Sequence, residues 1–283
     1  MTDLQDVCVV TDSTADIPRG LAEELGITVV PLTVTIDGFS FRDGDITMGE
    51  FFRRMGEAPE LPTTSQPSVG AFVEAFQRSL EHCKDVVCVS ISHKLSGTIE
   101  SAHEAARVVG ERVHVLDSLN LSFAEGIQAV FAARVAADGG SVADVKHAAE
   151  SARDRVSLLV GLDSLHNLAK GGRIGKVSAM LGGMLNLRVL LTVNPEGAFE
   201  PVAKIRGGSA AMQASVDWMA SRVDTTKRAA FGILHAESPD KAEWLEERVR
   251  ERFNVAELHV IETGPVIAAH TGTGWGLMAV PVE

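Results

Sequence analysis

Along the first half of the chain, apolar residues fall alternately into two periods. "VCVVTDST" (7–14) is a continuous apolar run that ends in small polar residues, which predicts a strand. "PRGLAEELG" (18–26) has Pro near its start and Gly past its end, the signature of a short helix, and "ITVVPLTVTI" (27–36) predicts a second strand. "SVGAFVEAFQRSLEHC" (68–83) returns to a period near 3.6, "DVVCVSIS" (85–92) predicts a buried strand, "GTIESAHEAARVVG" (97–110) a helix and "RVHVLDS" (112–118) another strand. Strands separated by helices of this length predict βαβ units and a parallel sheet. Two stretches read as amphipathic, 122–138 and 141–154, meet at Gly139 and Gly140 and close that half.

From "VSLLVGL" onward the texture changes to Gly-rich loops ("KGGRIGK", "LGGMLNLR"), short strands and two helices near 208–222 and 239–253. "GPVIAAHTGTGWGLMAVPV" at the end predicts strand, turn, strand. The expected organisation is α/β in two domains, 1–155 with the parallel sheet and a smaller α/β domain over 156–283.

Composition narrows what such a chain does. With 283 residues and 45% hydrophobic content it is long enough for a sizeable core. A net charge of −12 argues against a general binder of nucleic acid or anionic membranes. Cys8, Cys83 and Cys88 lie in or beside strand patterns without CxxC spacing, and the reading is of buried thiols in a reducing cytoplasm. "MTDLQDVCVV" runs straight into a strand pattern without a basic region before an apolar one, and no apolar run approaches a membrane span. A soluble, cytoplasmic protein without stable membrane insertion is expected.

Candidate chemistry collects at strand ends. "VVTDSTAD" places Thr11, Asp12, Ser13, Thr14 and Asp16 after one strand, "VSISHKLSGT" places Ser90, Ser92, His93, Ser96 and Thr98 after another, and "VLDSLN" ends a third with Asp117, Ser118 and Asn120. In open α/β sheets ligands sit outside the carboxyl ends of the strands, so one crevice is expected to gather all three. A helix starting near Gly97 offers unpaired N–H groups and a positive dipole end to an anion, with Ser96 at its edge. Capping alone explains Ser96 or Thr98 equally well, as it does Ser68 in "TTSQPSVGAF" (63–72).

Other signals fail on spacing. "GTGWG" is not GxGxxG, "GGRIGK" has Lys170 where a phosphate loop needs Gly, and neither GxSxG nor a His zinc motif occurs. No metal and no cofactor are expected. His270, Arg173 and Arg206 stand in Gly-rich contexts and read individually as structural or surface residues.

In combination and in order, "VTDSTADIP", "TTSQPSVGAF", "SHKLSGTIESA", "VLDS", "KGGRI" and "HTGTGWG" resemble the DegV family of bacterial fatty-acid-binding proteins, which includes the binding subunits of bacterial fatty acid kinase. The resemblance spans essentially the whole chain. It implies a two-domain DegV-like (EDD) fold in which a long-chain fatty acid such as palmitate, the ligand in place of any cofactor, lies in a tunnel between the domains. By motif, the carboxylate-binding residues implied are Thr64 and Ser96, with the Gly97 N–H, His270 and Arg173 in the ligand network, and Arg206 docking a fatty acid kinase as partner. The implied role is a carrier in lipid transport or metabolism without turnover of its own. Ile99 stands where the family often has an aromatic, and Thr273 and Trp275 alter a turn that often reads HxGPG. These departures leave the tunnel shape and acyl preference undetermined.

Two readings compete with the carrier. One is a serine acyl hydrolase or transferase with Ser96 as nucleophile, His270 as base and Asp12 or Asp117 as orienting acid. The other is a phosphotransfer protein, because the family's first domain is similar in fold to dihydroxyacetone kinase domains.

Overall fold

The computed structural model describes residues 5–180 and 187–282. In chain order its strands and α-helices begin with β1 (Gln5–Asp12), α1 (Arg19–Glu24), β2 (Thr28–Val30), β3 (Thr33–Ile36), β4 (Phe39–Arg42), α2 (Met48–Glu57), β5 (Thr63–Ser65) and α3 (Val69–Leu80). They continue with β6 (Cys83–Ser90), α4 (Thr98–Val109), β7 (Val113–Asp117), α5 (Phe123–Ala137), α6 (Val142–Arg155), β8 (Ser157–Leu162) and α7 (His166–Lys170). The remainder are β9 (Leu187–Val193), β10 (Phe199–Arg206), α8 (Gly208–Ala220), β11 (Ala229–Ala236), α9 (Pro239–Arg252), β12 (Val255–Glu262), α10 (Pro265–Thr271) and β13 (Gly274–Pro281).

Two units emerge. One comprises the chain up to Thr33 and Ser65–Asp154, the other Val34–Thr64 and the chain from Arg155. Sequence reasoning placed all of 1–155 in the first domain, whereas Val34–Thr64 groups with the second, which is also the larger rather than the smaller. The apolar positions of that segment announce burial but not the core they join. Pro31 explains part of the difference: it has no N–H to give a ladder, so the run read as one strand breaks into β2 and β3, which enter different sheets.

In the first unit, β2, β1, β6 and β7 form a parallel sheet in that order, as the βαβ pattern predicts. Val10 and Cys88 pair across β1 and β6 and share a core with Phe72 and Phe76 of α3 and Ala102 and Ala105 of α4. Successive strand residues face opposite ways, so Thr11 reaches the other face, where its hydroxyl donates to Glu125 of α5. Helix α5, expected to be amphipathic, is instead buried on nearly every side. Ser68 caps α3 as expected, its Oγ accepting from the Ala71 N–H at 3.1 Å.

One cysteine expectation is overturned. Cys8 on β1 and Cys83 at the start of β6 form a disulfide, their Cα atoms 5.7 Å apart, and Cys88 is the buried free thiol. Parallel pairing of Gln5 with Cys83 brings the two cysteines to adjacent strands, a proximity no spacing rule contains.

In the second unit, β10, β9, β8, β13, β11 and β12 form a six-stranded sheet, antiparallel except for β11 with β12. Helices α8 and α9 cover it through Met212, Val216, Met219, Leu245 and Val249, packed on Phe231, Trp275 and Leu277. A separate three-stranded sheet has the order β4-β3-β5. The end of the chain departs from the expected strand-turn-strand: its first apolar run is the helix α10, and β13 follows. Pro265 at the first turn favours a helix, and the Val266 N–H finds an acceptor in Asp43 Oδ1 at 3.2 Å, a cap 223 residues away in sequence. The loop "LGGMLNLR" lies mainly outside the described residues. Among the described residues no helix is long and apolar enough to cross a membrane.

Candidate functional site

In the second unit the second threonine of TTSQPS sits on β5 and meets the last turn of α10: Thr64 Oγ1 and His270 Nε2 are 2.8 Å apart. Burial, and after it the nearby Arg173 guanidinium, lowers the His270 pKa from 6.5 to about 4, so the ring is neutral at pH 7. Among the described residues its buried Nδ1 has no hydrogen-bond partner, and a Cβ on Gly171 would overlap it. With Arg173 opposing a positive ring and no acceptor at Nδ1, the proton belongs on Nε2, which donates to Thr64 Oγ1. The Thr64 hydroxyl then keeps its own proton for another acceptor.

Arg173 follows α7, and its Nη1 donates to the Gly171 carbonyl at 2.7 Å, which ties the guanidinium to the turn beneath His270. Asn167 of α7 supports the same helix end, its Nδ2 donating to the Ala269 carbonyl at 3.2 Å. Arg206 ends β10 and is exposed. Thr63 is exposed on the same short strand as Thr64.

In the first unit Ser96 and Gly97 lead into α4. Ser96 Oγ lies 2.8 Å from Thr98 Oγ1 and accepts from the Thr98 N–H at 3.3 Å, so the serine does act as a local cap while standing half-exposed at the helix start. Gln66 of TTSQPS donates through Nε2 to Ser101 Oγ at 2.8 Å, and a Cβ on Gly97 would overlap its Oε1. Gly97 thus lets a side chain of one motif lie against the backbone of another.

The polar ends of β1, β6 and β7 come together as neighbours in the parallel sheet. Asp12 Oδ2 accepts from Ser90 Oγ at 2.7 Å and from the Ile91 N–H at 3.1 Å, while Oδ1 accepts from Thr14 N–H at 3.0 Å and from the Thr14 hydroxyl. The Thr14 hydroxyl also lies 3.2 Å from Glu125 Oε2, so one small group bridges two buried carboxyls. Burial first, then the charge of Asp12, pushes Glu125 well above the usual carboxylate range, and burial raises Asp12. Sequence reasoning passed over Glu125, although one acid inside "SFAEGIQAVFAA" was a visible signal.

This arrangement disfavours the acyl-transfer reading. An orienting acid belongs on His270 Nδ1, which has no partner among the described residues. Asp12 is committed to Thr14, Ser90 and Ile91, and Asp117 accepts from His93 Nδ1 at 2.6 Å and from the Leu119 N–H at 2.8 Å. Among the described residues no group of three acidic, His or Cys side chains is placed to hold a metal ion.

Comparison with known proteins adds to the geometry. A DegV domain-containing protein of Lactococcus lactis is 33% identical over 274 residues, 95% of this chain and 97% of its own. A DegV family protein from Thermus thermophilus, described as fatty acid binding, superposes with a TM-score of 0.93 at 35% identity, covering 98% of this chain and 100% of that one. A Thermotoga maritima protein, described as revealing fatty acid binding function, gives 0.88 at 28% identity over 99% and 100%. The sequence profile of the DegV family matches residues 6–282, and the chain belongs to that family.

Proposed function

We propose that this chain is a cytoplasmic fatty-acid carrier, not a catalyst, that binds a long-chain fatty acid through its carboxylate and presents it to a fatty acid kinase. The observation that carries the reading is the Thr64–His270 hydrogen bond, which leaves a half-buried threonine hydroxyl ready to donate beside a neutral ring. Ser96 at the start of α4 is the second hydroxyl donor, with the Gly97 N–H assisting. A carboxylate leaving water needs such donors, because an unsatisfied buried anion is costly. Relatives at 35% and 28% identity that are described as fatty acid binding support the ligand class.

Affinity comes mainly from the tail. At about 0.8 kcal/mol per buried methylene, roughly fourteen methylenes contribute about 11 kcal/mol before the costs of association. The head group selects a free acid. Arg173 supports His270, and Arg206 is assigned to the kinase-facing surface; this partner role rests on the family resemblance.

Native mass spectrometry of the purified chain, with lipid extraction, tests the reading. A copurifying fatty acid, or palmitate taken up by delipidated protein, is expected. Absence of both rejects it.

A further inference from the structure

We infer that Thr98 is a positioning residue that turns the Ser96 hydroxyl into a pure donor, so that this end of the site favours an ionised carboxylate over a neutral head group. The inference rests on the carrier reading above and specifies how its head group is chosen.

The oxygens of Ser96 and Thr98 are 2.8 Å apart, a distance that does not reveal which one donates. Burial does. Thr98, the first residue of α4, has 0% exposure, while Ser96 is only partly buried. A buried hydroxyl proton without an acceptor costs about 1–3 kcal/mol. Among the described residues the one hydrogen-bond partner of the Thr98 hydroxyl is Ser96 Oγ. Thr98 therefore donates and Ser96 accepts.

Ser96 Oγ also receives the Thr98 N–H at 3.3 Å. A hydroxyl has two lone pairs and one proton. Both lone pairs of Ser96 are now occupied from the helix side, and only its proton is left for a ligand. Donors feeding into the oxygen also polarise its O–H bond, which strengthens the bond it gives to an anion. The Thr64 hydroxyl in the second unit is primed in the same sense, by His270 Nε2. Hydroxyls in this state bond most strongly to the charged oxygens of a carboxylate, and more weakly to the neutral oxygen of an alcohol or a protonated acid.

The test uses the full, delipidated chain with palmitate and hexadecanol as probes. Thr98→Val keeps the shape and removes the hydroxyl, and it should weaken palmitate about tenfold while changing hexadecanol by less than about twofold, the signature of one lost polarising bond. Thr98→Ser should restore palmitate binding. The inference is overturned if Thr98→Val holds palmitate as tightly as the parent chain while Ser96→Ala does not. Equal loss of both probes, or no rescue by serine, also overturns it, since each indicates only a packing role. Failure of the unsubstituted chain to bind palmitate removes the carrier reading itself, an outcome distinct from any produced by the variants.

Discussion

Thr64 and His270 are 206 residues apart in sequence and share a hydrogen bond of 2.8 Å. The ring is neutral because burial and Arg173 both oppose its charge. The threonine therefore receives a proton from behind and retains its own for a ligand. A residue that would read as loop decoration thereby becomes a candidate donor for the proposed carboxylate site.

Truncating either hydroxyl should weaken that site. Thr64→Ala and Ser96→Ala are each expected to raise the palmitate Kd by a factor corresponding to about 1–3 kcal/mol, because part of a desolvated anion is left without a donor. Titration calorimetry checks this, and unchanged affinity in both variants would reject the assignment. Arg206→Ala should leave palmitate affinity intact and lower the rate at which a partner kinase phosphorylates the bound acid.

Stability should fall in mild acid because of His270. Its folded pKa, about 4, lies below the ordinary 6.5, so between those values the unfolded chain takes up a proton that the folded chain refuses. The contribution is present in full above pH 6.5 and is lost as pH drops toward 4, a loss on the order of 3 kcal/mol. Urea unfolding of the parent chain and His270→Gln across this range should show a shallower slope in the variant. Parallel slopes would contradict the buried neutral ring.

Gly171 should be intolerant of even one carbon. Its backbone is in ordinary helical territory, so no conformational strain is relieved by glycine, yet an added Cβ would overlap His270 Nδ1 and come within 3.1 Å of the Asn167 carbonyl. Gly171→Ala should displace the ring, break its bond to Thr64 and weaken palmitate about as much as His270→Ala. Gly97→Ala should cost less, since the atom in its way is the end of the mobile Gln66 side chain.

The buried Glu125 predicts the opposite pH trend. Its folded pKa is raised above the ordinary 4.5 by burial and by Asp12, so the unfolded chain releases a proton that the folded chain keeps. This contribution is fully present below 4.5 and declines as pH rises through the shifted value. Glu125→Gln keeps the shape and the link to Thr14 without an ionisable proton. Its thermal midpoint should gain on the parent's more at pH 9 than at pH 5; a constant difference would refute the argument.

Thiol titration addresses the Cys8–Cys83 bond. Unfolded without reductant, the chain should expose one reactive thiol, that of Cys88, and three after reduction. Reduction should cost about 2–4 kcal/mol of stability, the usual yield of a constraint on the unfolded chain. Three reactive thiols before reduction would restore the simpler reading of free cysteines.

Much of this protein was legible in the residues themselves. The alternation of apolar runs with 3.6-period segments gave β1, β6, β7 and the helices between them, because a buried parallel strand and a helix each impose their own spacing. Ser68 as a cap follows from purely local geometry. The order of TTSQPS, SGT and the closing HTGTGWG pointed to a family. Other features depended on partners far away in the chain. Helix α10 rather than a strand, the disulfide, the raised pKa of Glu125 and the membership of Val34–Thr64 in the second unit all follow from neighbours that sequence spacing does not specify. Short apolar runs are compatible with either helix or strand, and Asp43, more than two hundred residues from Val266, supplies an acceptor to the first turn of the one that became α10. Sequence determined which residues have the chemistry to hold a carboxylate. Only the tertiary structure brings Thr64 against His270 and buries Thr98 behind Ser96, because hydrogen-bond partners and burial are set by the fold and not by spacing along the chain.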